Sequence, residues 1–312
     1  MAMINARNAL PAVKNNSNFL QVDHIIKQIS GEKGVVILPS PRAWEKFSWT
    51  RKLFGSKPKE GYFIWVKKQV NFPLYTCIAI ASPKIKQDLS NLMVVEEGLK
   101  VKANVTCAAA KNHLYGSHMA KGKLILKVGA SLEYNHIHSW GEKDFVSPDY
   151  EFILEKGSGL KYTYKNLLPP EKLNFKTSLF LKENASAELK IIVNGINSQI
   201  KIEDSIYLEG KNSSATASLR LVGKKNCKID AVSKITARNE VRGHLDCQGI
   251  LVDDKSKISV APQINCENKK AQITHEASIG KIDEEQLTYL MMRGLTEKEA
   301  IELIINGFLK IE

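Results

Sequence analysis

Asn184-Ala185-Ser186-Ala187-Glu188-Leu189-Lys190-Ile191-Ile192-Val193 is a tight polar turn followed by a strand in which apolar and polar residues alternate. The same grammar opens at Gly129-Ala130-Ser131, Gly157-Ser158-Gly159 and Asn212-Ser213-Ser214, at an interval close to 28 positions. Gly and Asn tolerate the left-handed backbone that such turns need. Alternation at period two puts every second side chain on one face of a strand. Turns at Lys225-Asn226, Asp254-Lys255-Ser256 and Asn268-Lys269 continue on roughly whole or half multiples of that interval. A unit this short cannot bury its own apolar face, so neighbouring units must stack and share a core. The spacing therefore predicts a β-solenoid, in which segments 132–137, 189–193 and 217–222 pair with their equivalents one coil away. A β-sandwich also has short strands between turns, but it does not require turn chemistry that stays in phase.

Residues 1–75 read as a separate α+β region, 76–281 as the solenoid core and 282–312 as a helical pair. In the first region, 22–29 has helical apolar spacing, Val35-Val36-Ile37-Leu38 is a short strand, and 39–59 mixes aromatics with loop residues. At the other end, Asp283 with Gln286 and Thr296 with Glu299 are capping-box arrangements, and Gly294 stands where a helix needs a left-handed residue. Ala300, Ile301, Ile304, Ile305 and Phe308 fall on one helical stripe, flanked by Glu297, Glu299 and Glu302. An open solenoid end exposes unpaired backbone groups, so this pair is expected to cap it. The stripe packs either on the protein itself or on a partner.

The chain has 312 residues and a formal net charge of +12. Its cations are mostly lysines spread through nearly every segment, whereas phosphate and base recognition favours arginine's planar fork. Nucleic-acid binding is not expected, although Lys52, Lys57, Lys59, Lys67 and Lys68 form a local patch. From Glu276 to Glu312 the sign reverses, with eight acidic residues against four basic ones, which marks a separate docking surface. No apolar run approaches the ~20 residues needed to span a bilayer, and residues 1–20 lack the pattern of a signal peptide. Neither membrane association nor secretion is expected, and the location read from the sequence is cytoplasmic. The five cysteines are odd in number and widely spread, so they read as thiols rather than disulfides.

No phosphate-cradling Gly-Lys-Ser/Thr loop and no Cys-x-x-Cys pair is present. What remains is dispersed thiols and imidazoles. Cys107, His113 and His118 lie within twelve residues, and His136 and His138 share a face if their segment is a strand. Cys247, in Gly243-His244-Leu245-Asp246-Cys247-Gln248-Gly249, lies 28 positions before His275. In a solenoid of that pitch the two segments stack, which would let Cys247, His275 and Glu276 converge. Thiolate, imidazole and carboxylate together suit iron–sulfur or zinc chemistry. Each residue also has a plainer reading, the cysteines as small hydrophobes and the His–Glu pair as a solvated strand end.

Gly243-His244-Leu245-Asp246-Cys247, Ala261-Pro262-Gln263-Ile264, His275-Glu276-Ala277, Ile279-Gly280-Lys281-Ile282, Gln286-Leu287-Thr288-Tyr289-Leu290 and Arg293-Gly294 together resemble the SufB/SufD family of iron–sulfur assembly scaffolds. Ile304-Ile305-Asn306-Gly307-Phe308, Ile137-His138-Ser139-Trp140-Gly141 and the 107–118 stretch extend the likeness upstream to about Phe72. The resemblance implies a mainly β, right-handed parallel β-helix and C-terminal helices that dock a SufC-like ABC ATPase, here through Leu287, Tyr289, Leu290, Ile301, Ile304, Ile305 and Phe308. It also implies a transient iron–sulfur cluster, 4Fe-4S or 2Fe-2S, bound by Cys247 and Glu276 with His275 assisting, and sulfur relayed by Cys107. His118 and His138 match recurrent histidines of the family, and Cys266 is an extra thiol that would be a further ligand or an inert residue.

Thr106 stands where the family usually has Gly, and the leader is brief. Cys247 together with Glu276 is more SufB-like than SufD-like, and a chain with both is expected to work as a homodimer. The expected function is that of a non-catalytic scaffold that takes sulfur from a donor and passes clusters to apo acceptor proteins. A SufD-like structural subunit that holds no cluster is the alternative.

Overall fold

A computed structural model describes residues 18–310. The signal-peptide reading of residues 1–20, and the start of the 1–75 region, fall largely on residues outside the described ones.

Among the described residues, nineteen strands form two sheets. The N-terminal elements are β1 (Asn18–Val22), β2 (Ile25–Ser30), β3 (Val35–Pro39), α1 (Ser40–Lys46), α2 (Ser48–Phe54) and β4 (Tyr62–Val66). The coils then run β5 (Leu74–Ile80), β6 (Lys86–Val95), β7 (Lys100–Ala109), β8 (Ser117–Leu126), β9 (Ser131–Ser139), β10 (Phe145–Leu154) and β11 (Gly159–Leu168). They continue through β12 (Lys172–Leu181), β13 (Ser186–Ile196), β14 (Gln199–Leu208), β15 (Ser214–Lys224) and β16 (Lys228–Ala237) to β17 (Arg242–Leu251), β18 (Lys257–Cys266) and β19 (Gln272–Lys281). Helices α3 (Glu284–Met292) and α4 (Glu297–Leu309) follow. Odd strands from β5 to β19 line one sheet and even strands from β6 to β18 the other, with parallel ladders between successive coils. This is the parallel β-solenoid that the turn spacing predicts.

The turns hold the pitch. Gly98, Gly129, Gly157, Asn184 and Asn212 all have positive φ, between 55° and 69°. The amide of each bonds the next turn, as in Gly157 N to the Glu183 carbonyl at 2.9 Å and Asn184 N to that of Lys211 at 2.9 Å. Inward side chains fill a continuous core, and outward ones pair between coils. Lys102–Glu133, Lys127–Glu155, Lys156–Glu183 and Lys182–Glu209 link successive coils at 2.6–3.0 Å. Much of the lysine excess is thus a solvated ladder, worth little per pair. In the N-terminal patch, Lys57 and Lys59 pair with Glu45 and Asp88, and Lys67 lies over the Trp65 ring.

Two expectations are corrected. Segment 22–29 is not helical; β1 and β2 form a hairpin, and β1 also joins β5 in parallel. Asp23 takes the left-handed turn at φ 55°, and its carboxylate accepts from the Ala81 amide at 2.7 Å. Sheet pairing therefore overrides the local spacing.

The C-terminal helices do not cap the solenoid. Helix α4 lies on the outer face of the odd-strand sheet, where Ile305 and Leu309 bury against Ile192 and Val222. Lys224 anchors Glu302 at 3.0 Å. The apolar stripe therefore packs on the protein itself, and the last coil is left open. Most residues of β18 and β19 are exposed, including Ile264 at 38% and Ile279 at 42%. Among the described residues no helix is long and apolar enough to cross a membrane.

Candidate functional site

Two groups of thiols and polar side chains occupy the solenoid interior. The first is built on β7 and β9, where alternation turns Cys107, His136 and His138 inward. All three are buried, and their ligand atoms lie within 4.8 Å of one another. Cys107 Sγ is 3.6 Å from His136 Nε2, which is 2.9 Å from His138 Nε2.

The surrounding donors decide the tautomers. The Trp140 indole N–H donates to His138 Nδ1 at 3.1 Å, and the Tyr164 hydroxyl, 3.2 Å away, meets the same nitrogen. An indole can only donate, so His138 Nδ1 is bare and Nε2 carries the proton. His138 thus donates to His136 Nε2, leaving His136 Nδ1–H for the Tyr162 hydroxyl at 3.4 Å. A metal-bound imidazole instead keeps a proton on its remote nitrogen. The spacing of the three ligand atoms suits a metal, but this hydrogen bonding uses the His138 lone pair and forms a cradle around the Cys107 thiol.

His118 stands beside the cradle, its ring 4.8 Å from Trp140 and 6.0 Å from His138. Its Nδ1 donates to Gln87 Oε1 at 2.8 Å, which leaves a buried Nε2 without a partner. Burial pushes His118 and His136 down to about 3 and His138 well below its usual range, and holds the Cys107 thiol well above its own. At neutral pH the cradle is uncharged.

The second group surrounds Cys247, which β17 turns inward one coil from the open end. It is fully buried, and burial, followed by the charges of Asp204 and Asp246, pushes its thiol up to about 12. Ladder partners run from His136 through Tyr164, Ile191 and Leu219 to Cys247. At ~4.8 Å per step the two groups are about 19 Å apart along one column.

The predicted ligands of Cys247 do not all converge. Segments 243–249 and 273–279 stack, but in a register of 30 residues rather than 28, so Leu245 partners His275, Asp246 partners Glu276 and Cys247 partners Ala277. Paired residues share a face and neighbours alternate. His275 is therefore on the inner face, two positions from Cys247's own partner. Glu276 is on the outer face, like Thr274, which bonds His244 Nδ1 at 2.8 Å. The expected Cys247–Glu276 pair does not form within a protomer. Cys266 ends β18 as the exposed partner of Ala237, on the rim of the last coil.

The docking residues also divide. Ile305 is buried under α4, with Ile301 and Phe308 packed against the same cluster, so these are corrected to the protein's own core. Leu287, Leu290 and Ile304 are half-buried, while Tyr289 is 57% exposed. Met292 at 82% and Leu303 at 52% are exposed as well.

Residues 80–308 match the family described as SUF system FeS cluster assembly, SufBD core domain. The chain belongs to the SufBD family. It is 30% identical over 257 residues to an iron-sulfur cluster assembly SufBD family protein of Methanothermobacter thermautotrophicus, covering 81% of this chain and 63% of that relative. One from Archaeoglobus fulgidus is 27% identical over 318 residues, covering 96% and 86%. One from Methanocaldococcus jannaschii is 28% identical over 256 residues, covering 79% of each. The chain thus spans under two thirds of the length of the first of these relatives.

For a SufBD chain the interior is richer than its sequence motifs. Asp204 has 1% exposure inside the solenoid, and burial pushes its carboxyl up to about 7. A signal existed: in Gln199–Leu208 the even positions 200, 202, 206 and 208 are apolar, and Asp204 falls in phase with them. His136 carried only its same-face relation to His138.

Proposed function

We propose that this SufBD chain is a SufB-like scaffold on which a nascent iron–sulfur cluster is assembled. The observation that carries this reading is that two buried thiols, Cys107 and Cys247, share one interior and nearly one ladder column. In this scheme Cys107 receives sulfur inside the imidazole cradle, where its Sγ lies 3.6 Å from His136 Nε2. Sulfur then moves along the interior to Cys247, which anchors iron near the open end with His275 assisting. Thiolate and imidazole suit iron, and a site with few thiolates releases its cargo more readily. Glu276 can join only from a second copy across the open end, in a homodimer.

In the same reading, ATP hydrolysis belongs to a SufC-like ABC ATPase docked on the exposed part of the C-terminal helices. Tyr289, Leu290 and Leu287 contribute there, and Ile304 lies at the edge. The scaffold itself is non-catalytic and works in the cytoplasm, taking sulfur from a donor protein and passing 4Fe-4S or 2Fe-2S clusters to apo acceptors. The buried polar cradle favours this over a SufD-like structural role, because a packing-only interior has no need of an unpartnered imidazole nitrogen such as His118 Nε2.

Measuring iron and acid-labile sulfide per chain after anaerobic co-purification with the ATPase tests the reading. Wild type should carry both, and Cys247→Ser should lose them. Equal contents in the two would overturn it.

A further inference from the structure

We propose that Trp140 closes the Cys107–His136–His138 group to divalent transition metals by fixing the proton of His138, and so keeps the Cys107 thiol free. The purpose, a thiol left open to sulfur, rests on the scaffold reading. The exclusion itself rests on the hydrogen bonds around the two imidazoles.

One thiol and two imidazoles whose ligand atoms lie within 4.8 Å of one another are a donor set that zinc, cobalt(II) or iron(II) takes up. Each imidazole must offer the metal a lone pair. The two nitrogens that face each other here, His138 Nε2 and His136 Nε2 at 2.9 Å, hold one proton between them. While that proton stays on His138, neither nitrogen can ligate, because one carries the hydrogen and the other accepts it.

Trp140 holds the proton in place. It follows β9, is 3% exposed, and its backbone amide donates to the Leu168 carbonyl at 2.9 Å. Its ring lies against those of His118 at 4.8 Å and His138 at 5.6 Å, and its N–H donates to His138 Nδ1 at 3.1 Å. Moving the His138 proton to Nδ1, as metal binding requires, would set two N–H groups against each other and strand a buried indole donor, which is costly. The other contacts impose no such bar. The Tyr164 hydroxyl, 3.2 Å from His138 Nδ1, can accept as well as donate, and the Tyr162 hydroxyl already faces His136 Nδ1 at 3.4 Å. Asn166 Nδ2 is 3.4 Å from the Tyr164 hydroxyl and its Oδ1 is buried without a partner, so a turn of that amide would give the hydroxyl proton an acceptor. Of the groups around these nitrogens, the indole is the one that cannot accept.

Without the indole, metal binding is a simple exchange. The metal displaces the thiol proton of Cys107 to solvent, and the His138 proton passes from Nε2 to Nδ1. One metal–sulfur and two metal–nitrogen bonds form, and no electron moves. Partners of the remote imidazole nitrogen change metal affinity by about 10–100-fold, and here the partner opposes binding instead of supporting it. Trp140 is thus a positioning residue that acts on Cys107 through His138.

The test uses Co(II), whose thiolate complexes absorb visibly. Full-length protein carrying Cys247→Ser and Cys266→Ser, with and without Trp140→Phe, receives Co(II) in the growth medium, so that the metal is present as the chain folds, and again after purification. With Trp140 in place no sulfur-to-cobalt charge-transfer band is expected. Trp140→Phe should bring the band and at least about tenfold tighter binding, and adding Cys107→Ser should abolish both. A Cys107-dependent band with Trp140 present, or none in a Trp140→Phe protein that melts as a folded chain, would overturn the inference. Should that variant fail to fold, histidine nitrogen NMR of the wild type decides: the proton should sit on Nε2 of His138 and Nδ1 of His136, and a His138 protonated at Nδ1 overturns the inference. The scaffold reading is tested separately, by the iron and sulfide content of Cys247→Ser, and stands or falls on that measurement.

Discussion

Cys247 and Glu276 stand on opposite faces of the same sheet. Their ladder partners settle it, since Glu276 pairs with Asp246 and Cys247 with Ala277. In dilute protein held as a monomer, Glu276→Gln should change Fe(II) affinity by less than about twofold, under about 0.4 kcal/mol. Its effect should appear only where the chain self-associates. Sedimentation paired with iron titration separates these cases, and a large loss in the monomer would contradict the register.

Four of the five cysteines are buried and Cys266 is exposed. Native protein should therefore show one fast thiol toward a disulfide reagent, and five after denaturation. Cys266→Ser should remove the fast phase. If the open end pairs with a second copy, that phase should also slow as protein concentration rises. Fast reaction of Cys247 would contradict its burial.

Acid should destabilise the fold early. An unfolded histidine takes a proton below about 6.5, while His118 and His136 resist it down to about 3 and His138 resists as well. Their stabilising contribution is intact above pH 6.5 and is lost as pH falls toward 3. Three imidazoles give a limiting slope of about 4 kcal/mol per pH unit. Melting temperatures across pH 4–8 check this, and His136→Asn should cut the slope by about a third.

Asp204 has the opposite sign. Its carboxyl is raised from 3.8 to about 7, so stability is lost as pH rises through that window. Asp204→Asn should raise the melting temperature of the apo protein above pH 7, by a gain on the order of 2 kcal/mol, and change little near pH 4. A variant less stable than wild type at both pH values would show that the carboxylate is satisfied.

Gly122 makes room for Tyr150. A Cβ there would lie 2.3 Å from the Tyr150 ring. Gly122→Ala should cost about 1–3 kcal/mol by overpacking the interior, and chemical denaturation measures it. At the other end, Ile305→Ala should cost roughly 2–5 kcal/mol of helix docking. Hydrogen exchange would then rise in Glu297–Leu309 while the coils stay protected. Uniform exchange across the chain would mean that α4 is not an independent unit.

How far the sequence reaches depends on the residue. Gly157, Asn184 and Asn212 announced the coils because a left-handed turn is a local requirement and few residues meet it. Alternation in Leu189–Val193 announced the inner face for the same reason. The hairpin at Gln21–Ile26 was hidden because its conformation is imposed by β5, and the packing of Ile305 because helical spacing does not say what covers a stripe. The cradle around Cys107 was only half legible: His138 and His136 share a face by alternation, but Tyr162 and Tyr164 reach them from the next coil.

By itself the sequence determined the solenoid, its pitch, its terminal helices and the shared face of His136 and His138, because turn chemistry and period-two alternation act over a few residues. Only the tertiary structure decided what meets Cys247. The final coil pairs at 30 residues instead of 28, and the 29-residue separation from Cys247 to Glu276 is then one short of the register. One residue is enough to send a side chain to the other face of a pleated sheet.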